Sequence, residues 1–308
     1  MTAEPDILLL RFDAPMMSFG GVTVDDRRVI DPRPGLSLLT GLLANGLGVD
    51  HAERDRLGAL QSALRFAVRC DRSGRLLQDF QTVDLGQDFL QAGWTTRGAP
   101  EGRGGGTKTG THIRLRDYLV DAVYTVAVTV APGHVADADD SDLPTVDALE
   151  HAVRRPERPL FLGRKACLPS RPLFAGRVRA ESAVAALVAA PWADEAVRRT
   201  GRDELAPAVL TLWWSADEAT PGGVTVGRRL PVWDRRDWWT QTHTGRRWIL
   251  EGTMPRPLAE PSPLASDPSA ESVSGGLGDF DSVPYLADEV SAESIGPAGP
   301  ERAGGSDG

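Results

Sequence analysis

Three segments of the chain carry apolar residues in the pattern of β-strands. Residues 6–12, DILLLRF, form an apolar run of strand length and predict a buried first strand. Residues 63–70, ALRFAVRC, alternate, so that four apolar side chains point to one face and Arg65 and Arg69 point to the other. Residues 121–130, DAVYTVAVTV, are rich in β-branched residues and predict another strand.

Two further segments have helical spacing. Residues 34–48, PGLSLLTGLLANGLG, repeat leucines at helical intervals, with Ser37 as the predicted N-cap and Gly48 as the predicted end. Gly41 and Gly46 lie inside this helix and lower its stability, which suggests that another backbone or a ligand packs close to that face. Residues 143–153, LPTVDALEHAV, predict an amphipathic helix.

The order of these elements indicates an α+β fold. A short strand-like segment, RPLFLG at 158–163, follows the second helix, so the chain reads β-α-β, a long interruption, and β-α-β. That order is typical of the ferredoxin-like (RRM-like) βαββαβ fold. The interruption, at residues 75–118, predicts a long basic hairpin arm inserted between the middle strands.

The same pattern predicts three regions along the chain. A ferredoxin-like domain spans 1–165, a small mainly-β subdomain spans 166–254, and a disordered acidic tail spans 255–308. Six of the eight tryptophans fall between Trp213 and Trp248, which is typical of the core of a small β subdomain. The tail has few large apolar residues, so burial cannot offset the entropy of ordering it.

Charge is distributed unevenly along the chain. From residue 259 onward there are ten acids and one arginine, so this segment carries the whole formal net charge of −9 and the remainder is neutral. No run approaches the length of a membrane span, and two cysteines, Cys70 and Cys167, lie far apart. We therefore expect a soluble, cytoplasmic protein with reduced thiols and no membrane partner.

The stretch GRGGGTKTGTHIRLRDYLVDAVY, residues 102–124, is rich in glycine and basic residues. It is not a nucleotide-binding P-loop, because a residue separates Gly106 from Lys108 and the following segment alternates like a strand. Between residues 97 and 116, one acid accompanies five basic residues: Arg97, Arg103, Lys108, Arg114 and Arg116. Cations on a flexible backbone suit a single-stranded RNA, and the alternative is a solvated surface loop.

A second basic cluster spans residues 154–179, where eight basic residues accompany one acid. Within it, Gly163, Arg164 and Lys165 follow a predicted strand end, where a turn can present N–H groups and cations to phosphates. We expect the two basic clusters to meet in space as a single RNA-facing surface. The alternative is a solvated face.

A turn near the N-terminus could form a third wall of such a surface. Its predicted RNA contacts are Met17, Ser18, Phe19, Gly20, Arg27, Arg28 and Arg33. Ser18 can donate to a phosphate and Phe19 can stack on a base. The alternative for the methionines and Phe19 is a place in the hydrophobic core.

Catalytic and metal signals are weak in this sequence. The five histidines are scattered, and His112 with Lys108 and Tyr118 is the only trio near basic residues. No Cys/His pair has metal-ligand spacing, and no Gly-x-Ser-x-Gly is present. We therefore expect no catalytic residue, no metal and no cofactor.

Five segments in order resemble the Cas5 family of CRISPR-associated proteins. They are LLLRFDAPMMSFG (8–20), PGLSLLTGLLANGLG (34–48), LLQDFQTV (76–83), PLFLGRKACLPSRPLFAG (159–176) and WDRRDWW (233–239). The second segment aligns Ser37 with a serine of the family motif, whereas Gly35 and Leu36 replace its threonine and basic residue. In the third, Phe80 and Gln81 replace the motif tyrosine and histidine. Phe19 replaces the tryptophan of the family's turn.

The resemblance implies a non-catalytic subunit of the type I-E Cascade antiviral surveillance complex. Such a subunit holds the 5′ handle of the CRISPR RNA and caps the backbone filament, with the arm placed between handle and spacer. Its partners would be the guide RNA, the backbone subunit and the large subunit, and it would meet target DNA only through the complex. The RNA contacts expected on the arm and the later loop are Arg103, Lys108, His112, Arg114, Arg116, Gly163, Arg164 and Lys165.

Two other functions stay open on the sequence. One is a metal-independent endoribonuclease that processes precursor CRISPR RNA through His112. The other is a protein-only adaptor, whose assembly would be insensitive to salt because it neutralises no phosphates.

Overall fold

The computed structural model of the protein describes residues 4–20, 27–84, 93–94, 100–101, 111–131, 143–192 and 207–257. The chain divides into two units, Met1–Leu264 and Ala265–Gly308, and all described residues belong to the first. The fold is α+β, as predicted, with mainly antiparallel strands. None of the helices in these ranges is long and apolar enough to cross a membrane.

The helices are α1 (Leu36–Gly46), α2 (Arg54–Ala63), α3 (Val146–Arg154) and α4 (Ala183–Ala189). The strands before α3 are β1 (Asp6–Asp13), β2 (Met16–Met17), β3 (Arg27–Arg28), β4 (Leu64–Arg72), β5 (Arg75–Asp84), β6 (Gly93–Trp94), β7 (Pro100–Glu101), β8 (Thr111–Val120) and β9 (Val123–Val130). Those after α3 are β10 (Phe174–Arg179), β11 (Val209–Ser215), β12 (Thr225–Val232) and β13 (Arg247–Pro255).

A seven-stranded antiparallel sheet, in the order β10-β1-β9-β4-β11-β13-β12, forms the centre of the first unit. Both faces of β1 are buried: Leu8 and Leu10 belong to one hydrophobic cluster, and Ile7 and Leu9 belong to the other. Burial on both sides explains why residues 6–12 read as a continuous apolar run and not as an alternation.

The two faces of the sheet are covered by different helices. Residues of α1, α2 and α3 pack in the cluster that contains Leu8, and residues of α4 pack in the cluster that contains Ile7. Strands from before and after residue 165 share the sheet, since β10 lies at one edge and β11, β13 and β12 lie towards the other. The predicted domain boundaries themselves stay predictions.

Helix α1 confirms the helix predicted over 34–48, and Gly48, with φ of +75°, follows its end. The two glycines inside it differ in their surroundings. A Cβ at Gly46 would lie 2.9 Å from the carbonyl oxygen of Ala152, so the backbone of α3 packs closely there. A Cβ at Gly41 would have no other atom within 4 Å. The space above Gly41 is therefore open.

The strand predicted at 158–163 is wrong. These residues form turns and extended loop, and the strand that pairs with β1 is β10, further along the chain. Leu160 and Leu162 are buried all the same, and the Leu162 N–H donates to the Cys167 carbonyl at 2.8 Å. The alternation of apolar residues predicted their burial correctly. Here, however, the buried residues lie in a loop that does not pair with the sheet.

A smaller, four-stranded sheet is built around β8, which lies between β4 and β9 in the chain. In it, β5 pairs with β8 from Arg75 opposite Val120 to Asp84 opposite Thr111, and β8 also pairs with β2 and β3. The predicted arm falls on this sheet, but Arg97, Arg103 and Lys108 lie outside the described residues. The predicted disordered tail likewise lies outside them beyond residue 257, whereas β13 extends to Pro255.

Candidate nucleic-acid interface

A cleft of about 630 Å³, here called the first cleft, opens on the face of the molecule that carries α1. Its walls are α1, the residues after β2, the loop at 163–165 and the loop at 236–243. Gly41, with its open space, lines the cleft. The polar and basic lining residues are Ser18, Ser37, Asn45, His51, Arg158, Arg164, Lys165, Arg236 and His243.

The α1 wall is held by a residue far away in the sequence. Helix α1 has Gly35 as its N-cap and no cap from its own segment, so the prediction of Ser37 as N-cap is wrong. Instead, Asp234 Oδ2 accepts from the Leu36 N–H at 2.9 Å, and the Asp234 carbonyl accepts from the Ser37 N–H at 2.9 Å. The hydroxyl of Ser37 is thereby free to face His243, whose Nε2 lies 3.2 Å away.

Asp234 stays ionised in this buried position. Burial opposes its charge, but two hydrogen bonds from Arg247, each 2.6 Å long, and the Leu36 N–H outweigh it and hold the pKa of Asp234 below its ordinary value. A carboxylate at a helix N-terminus also interacts favourably with the helix dipole. The positive end of the α1 helix dipole is therefore neutralised by the carboxylate of Asp234.

Two of the predicted segments meet directly at Gly163. Its φ is +111°, and a Cβ there would lie 1.9 Å from the carbonyl oxygen of Ser18. The Ser18 N–H donates to the Leu162 carbonyl at 3.1 Å. The loop at 163–165 is therefore seated on the turn after β2, as only a glycine permits.

Arg164 connects this loop to β8. Its Nη1 donates to the Asp117 carbonyl at 3.3 Å, and its guanidinium lies 4.6 Å from the centroid of the Tyr118 ring. Side chains alternate along a strand, so Arg114 and Arg116 share the face of β8 that carries Tyr118. The two basic clusters thus approach each other at this point.

Strand β3 brings two more of the predicted residues to the same place. The backbone of Arg27 pairs with Leu115, and that of Arg28 pairs with Arg116, in the parallel β3–β8 ladder. Gly20 forms an isolated bridge with Ile30 and lines the first cleft. The predicted residues near the N-terminus therefore lie beside β8 and the cleft.

Three predicted contacts are corrected by burial. Met17 is 0% exposed and Phe19 is 1% exposed, with the Phe19 ring packed edge-on against Tyr124 at 5.4 Å. For these two, the core alternative left open by the sequence is the one that the structure adopts. Arg33 is 9% exposed and lies near Asp31 and Asp234; burial, the largest effect, lowers its pKa, while the two acids favour its charge. Its buried cation therefore balances internal acids.

The second basic cluster divides between two places. Arg158, Arg164 and Lys165 line the first cleft, where Arg158 also lies 3.7 Å from the Asp50 carboxylate. By contrast, Arg177 forms ion pairs with Asp6, Asp147 and Glu150, Arg179 pairs with Asp6, and Arg154 pairs with Glu150. The arginines beside α3 and β10 are therefore neutralised within the protein and do not join a common basic surface, whereas the RNA-facing role of residues 158–165 stays a prediction.

The sequence did not predict the contribution of the loop at 236–243. Gln241, with φ of +62°, accepts from Arg236 Nη2 at 2.6 Å and lies 3.0 Å from His51 Nε2. The His51 ring meets Trp238 edge-on at 5.9 Å. For His243, burial is the main cause that lowers the pKa, so the ring is neutral at pH 7. The only signal for these residues was the segment WDRRDWW, which carried no assigned role.

Two of the three residues of the trio considered for catalysis lie on β8. His112 and Tyr118 are six residues apart on β8, which separates their backbones by about 20 Å. Lys108 and the side chain of His112 lie outside the described residues. Within the described ranges, no group of three His, Cys, Asp or Glu side chains could hold a metal ion.

Comparisons with known proteins agree on one family. Over residues 7–249 the sequence matches the family described as "CRISPR-associated protein (Cas_Cas5)". It is 33% identical over 160 residues to the CRISPR system Cascade subunit CasD of Escherichia coli (strain K12). The matched stretch makes up 52% of this chain and 66% of that relative, slightly under two thirds of its length.

Two solved structures have a similar fold. A chain of a "CRISPR RNA-guided surveillance complex" is 28% identical with a TM-score of 0.53, covering 84% of this chain and 95% of that one. A second, described as "Crystal structure of Cas protein", is 25% identical with a TM-score of 0.50, covering 81% of this chain and 95% of that one.

Proposed function

The chain belongs to the Cas5 family of CRISPR-associated proteins, as its sequence indicated, and from that premise we propose that it is a CRISPR RNA-binding subunit of a Cascade-type surveillance complex. The observation that carries the proposal is the first cleft. Arg158, Arg164, Lys165 and Arg236 surround it, and Gly41 leaves its floor open. Cations around an open groove suit the phosphates of a single strand.

We infer that the cleft holds the 5′ handle of the guide RNA. A handle is single-stranded, so its backbone can bend into a groove that a duplex could not enter. Strand β8 leads from the cleft with Arg116 and Arg114 on the face of Tyr118, which provides a path toward the inserted arm. In this arrangement the arm separates handle from spacer and the subunit caps the backbone filament.

The core that supports this interface is, we infer, ferredoxin-like. Strands β1, β4, β9 and β10 with α1 and α3 follow one another as β-α-β-β-α-β, and the strands lie side by side as β10-β1-β9-β4. The partners that follow from the family are the backbone and large subunits of the complex, with target DNA reached only through them. The proposed role involves no turnover.

The test is RNA binding by charge-reversed variants. The double variant carries Arg164→Glu and Lys165→Glu. We expect it to bind a repeat-derived single-stranded RNA at least about tenfold more weakly, since two phosphate contacts are lost. The slope of log affinity against log salt should also fall by about one for each lost contact. Fluorescence anisotropy of the labelled RNA at several salt concentrations measures both.

Arg155→Glu is the matched control, because Arg155 belongs to the same sequence cluster, is exposed and does not line the cleft. It should leave the affinity within about twofold, after allowance for the long-range effect of charge. Equal losses for Arg155→Glu and the double variant would contradict the assignment of the cleft. Cleavage of the RNA in EDTA at one position would contradict the non-catalytic role.

A further inference from the structure

A second cleft, of about 460 Å³, lies between α2 and the loop at 235–239. Arg54 and Gly58 line it from the helix, and Arg235 and Trp239 line it from the loop. Arg236 and Trp238 line both this cleft and the first one, so these two side chains form the wall between them. A ligand strand could therefore pass from one cleft to the other.

The walls of the second cleft are held firmly together. Gln61 in α2 donates through Nε2 to the Arg236 carbonyl at 2.8 Å and accepts the Arg236 N–H at 2.9 Å. Asp237 Oδ1 accepts from the Trp239 N–H at 2.8 Å and from the Thr240 N–H at 3.3 Å. The Gln61 bonds fix the distance between helix and loop, and the Asp237 bonds fix the turn of the loop, so the cleft is a built feature of the fold.

Three buried donors around this cleft have no acceptor. Trp238 is 5% exposed, and its Nε1 makes no hydrogen bond to any described residue; the same is true of Arg54 Nε and Arg236 Nε. Buried donors without partners are rare in folded proteins, because the lost hydration is not replaced. All three atoms are donors on residues that line this cleft, so an acceptor-rich ligand that reached them would satisfy them.

The outer wall of the cleft carries an exposed aromatic side chain. Trp239 is 64% exposed, and the Arg54 guanidinium lies 4.8 Å from its ring centroid. Gly58 opens the floor, because a Cβ there would meet no other atom within 4 Å. An indole face, a guanidinium and an exposed helix backbone together match a flat, polar ring carrying a phosphate.

We propose that the second cleft binds one unpaired base of the same RNA strand, stacked on Trp239, with its phosphate beside Arg54 and Arg235. This inference rests on the proposed function, since the strand enters over the Arg236–Trp238 wall from the first cleft. The Asp55 carboxylate also lines the cleft, where it would accept from an exocyclic amino group of the base. A base that carries such a group, adenine, cytosine or guanine, therefore fits better than uracil.

The test uses a pair of matched substitutions. Gly58→Leu fills the second cleft and Gly41→Leu fills the first, and both replace a helical glycine above open space, so neither should lower the melting temperature. Trp239→Ala removes the stacking surface and leaves the clefts otherwise intact. The probe is a repeat-derived single-stranded RNA with 2-aminopurine placed at one position after another, bound to the full-length protein.

With the wild-type protein, we expect one position to be quenched by stacking on the indole. Gly58→Leu and Trp239→Ala should abolish that quenching and weaken overall binding by about tenfold. Gly41→Leu should abolish most binding.

One outcome is that the RNA binds while 2-aminopurine at every position is quenched to the same extent in the wild type and in both variants, Gly58→Leu and Trp239→Ala. In that case the second cleft is not a base site and the proposed function stands. If the wild type does not bind the RNA, both proposals fail. If a partner protein shields the Trp239 side chain from solvent in the absence of RNA, the second cleft binds a protein and the inference is overturned.

Discussion

Gly163 shows at the scale of a residue why some site residues can be found by sequence and others cannot. The sequence suggested a turn that presents Arg164 and Lys165, and the structure places both beside the first cleft. It could not indicate that Gly163 is pressed against the Ser18 carbonyl, because that contact joins two segments distant in the chain. Nor could it separate Phe19 as a stacking ring from Phe19 as a core residue, since both require an aromatic side chain.

The contact predicts the outcome of Gly163→Ala. A Cβ 1.9 Å from the Ser18 carbonyl oxygen, on a residue with φ of +111°, forces the loop off the turn, which should cost roughly 3 kcal/mol of unfolding free energy. Urea denaturation measures this. Gly41→Ala is the control and should gain about 1 kcal/mol, because it adds a methyl group to a helix above open space. Equal stability of the two variants would contradict the packing described.

At the scale of the element, hydrophobic periodicity predicted which side chains share a face of a strand. It did not predict which element covers that face. Arg69 lies on the face of β4 opposite the apolar one, as expected, yet it is fully buried there. Its guanidinium donates to the carbonyls of Leu187, Ala190 and Pro191 at the end of α4 and to Asp71. The sequence of β4 does not predict that α4 packs on this face. The burial of Arg69 therefore depends on the packing of the helix against the sheet. The loop at 158–163 was predicted to be a strand because its apolar pattern indicates burial but not the element that provides it.

Helix α1 gives a prediction at this scale. Asp234→Ala removes the acceptor of the Leu36 N–H and leaves Arg247 without its carboxylate, so we expect a loss of roughly 3 kcal/mol in unfolding free energy. RNA affinity should fall as well, because α1 is a wall of the first cleft. Urea denaturation and anisotropy measure the two effects. Glu181→Ala removes an exposed acid elsewhere and should change neither quantity; a loss of the same size there would show that net charge, not the cap, is responsible.

At the scale of the molecule, the interface depends on contacts between segments far apart in sequence. The pairing of β3 with β8, the seating of the 163–165 loop and the capping of α1 by Asp234 together bring the walls of the first cleft into place. The strand order, with β11 and β13 continuing the sheet past β4, was not predicted either. Local patterns identify elements, whereas the register that unites them is set by long-range packing.

The most direct test of the central claim is a map of where RNA touches the protein. Guide RNA containing 4-thiouridine is crosslinked by ultraviolet light to the full-length chain, and the modified peptides are identified by mass spectrometry. We expect adducts on the peptides that line the first cleft, above all those containing Ser37 and Lys165. Adducts confined to the ion-paired surface around Arg177 and Arg179, with none at the cleft, would contradict it.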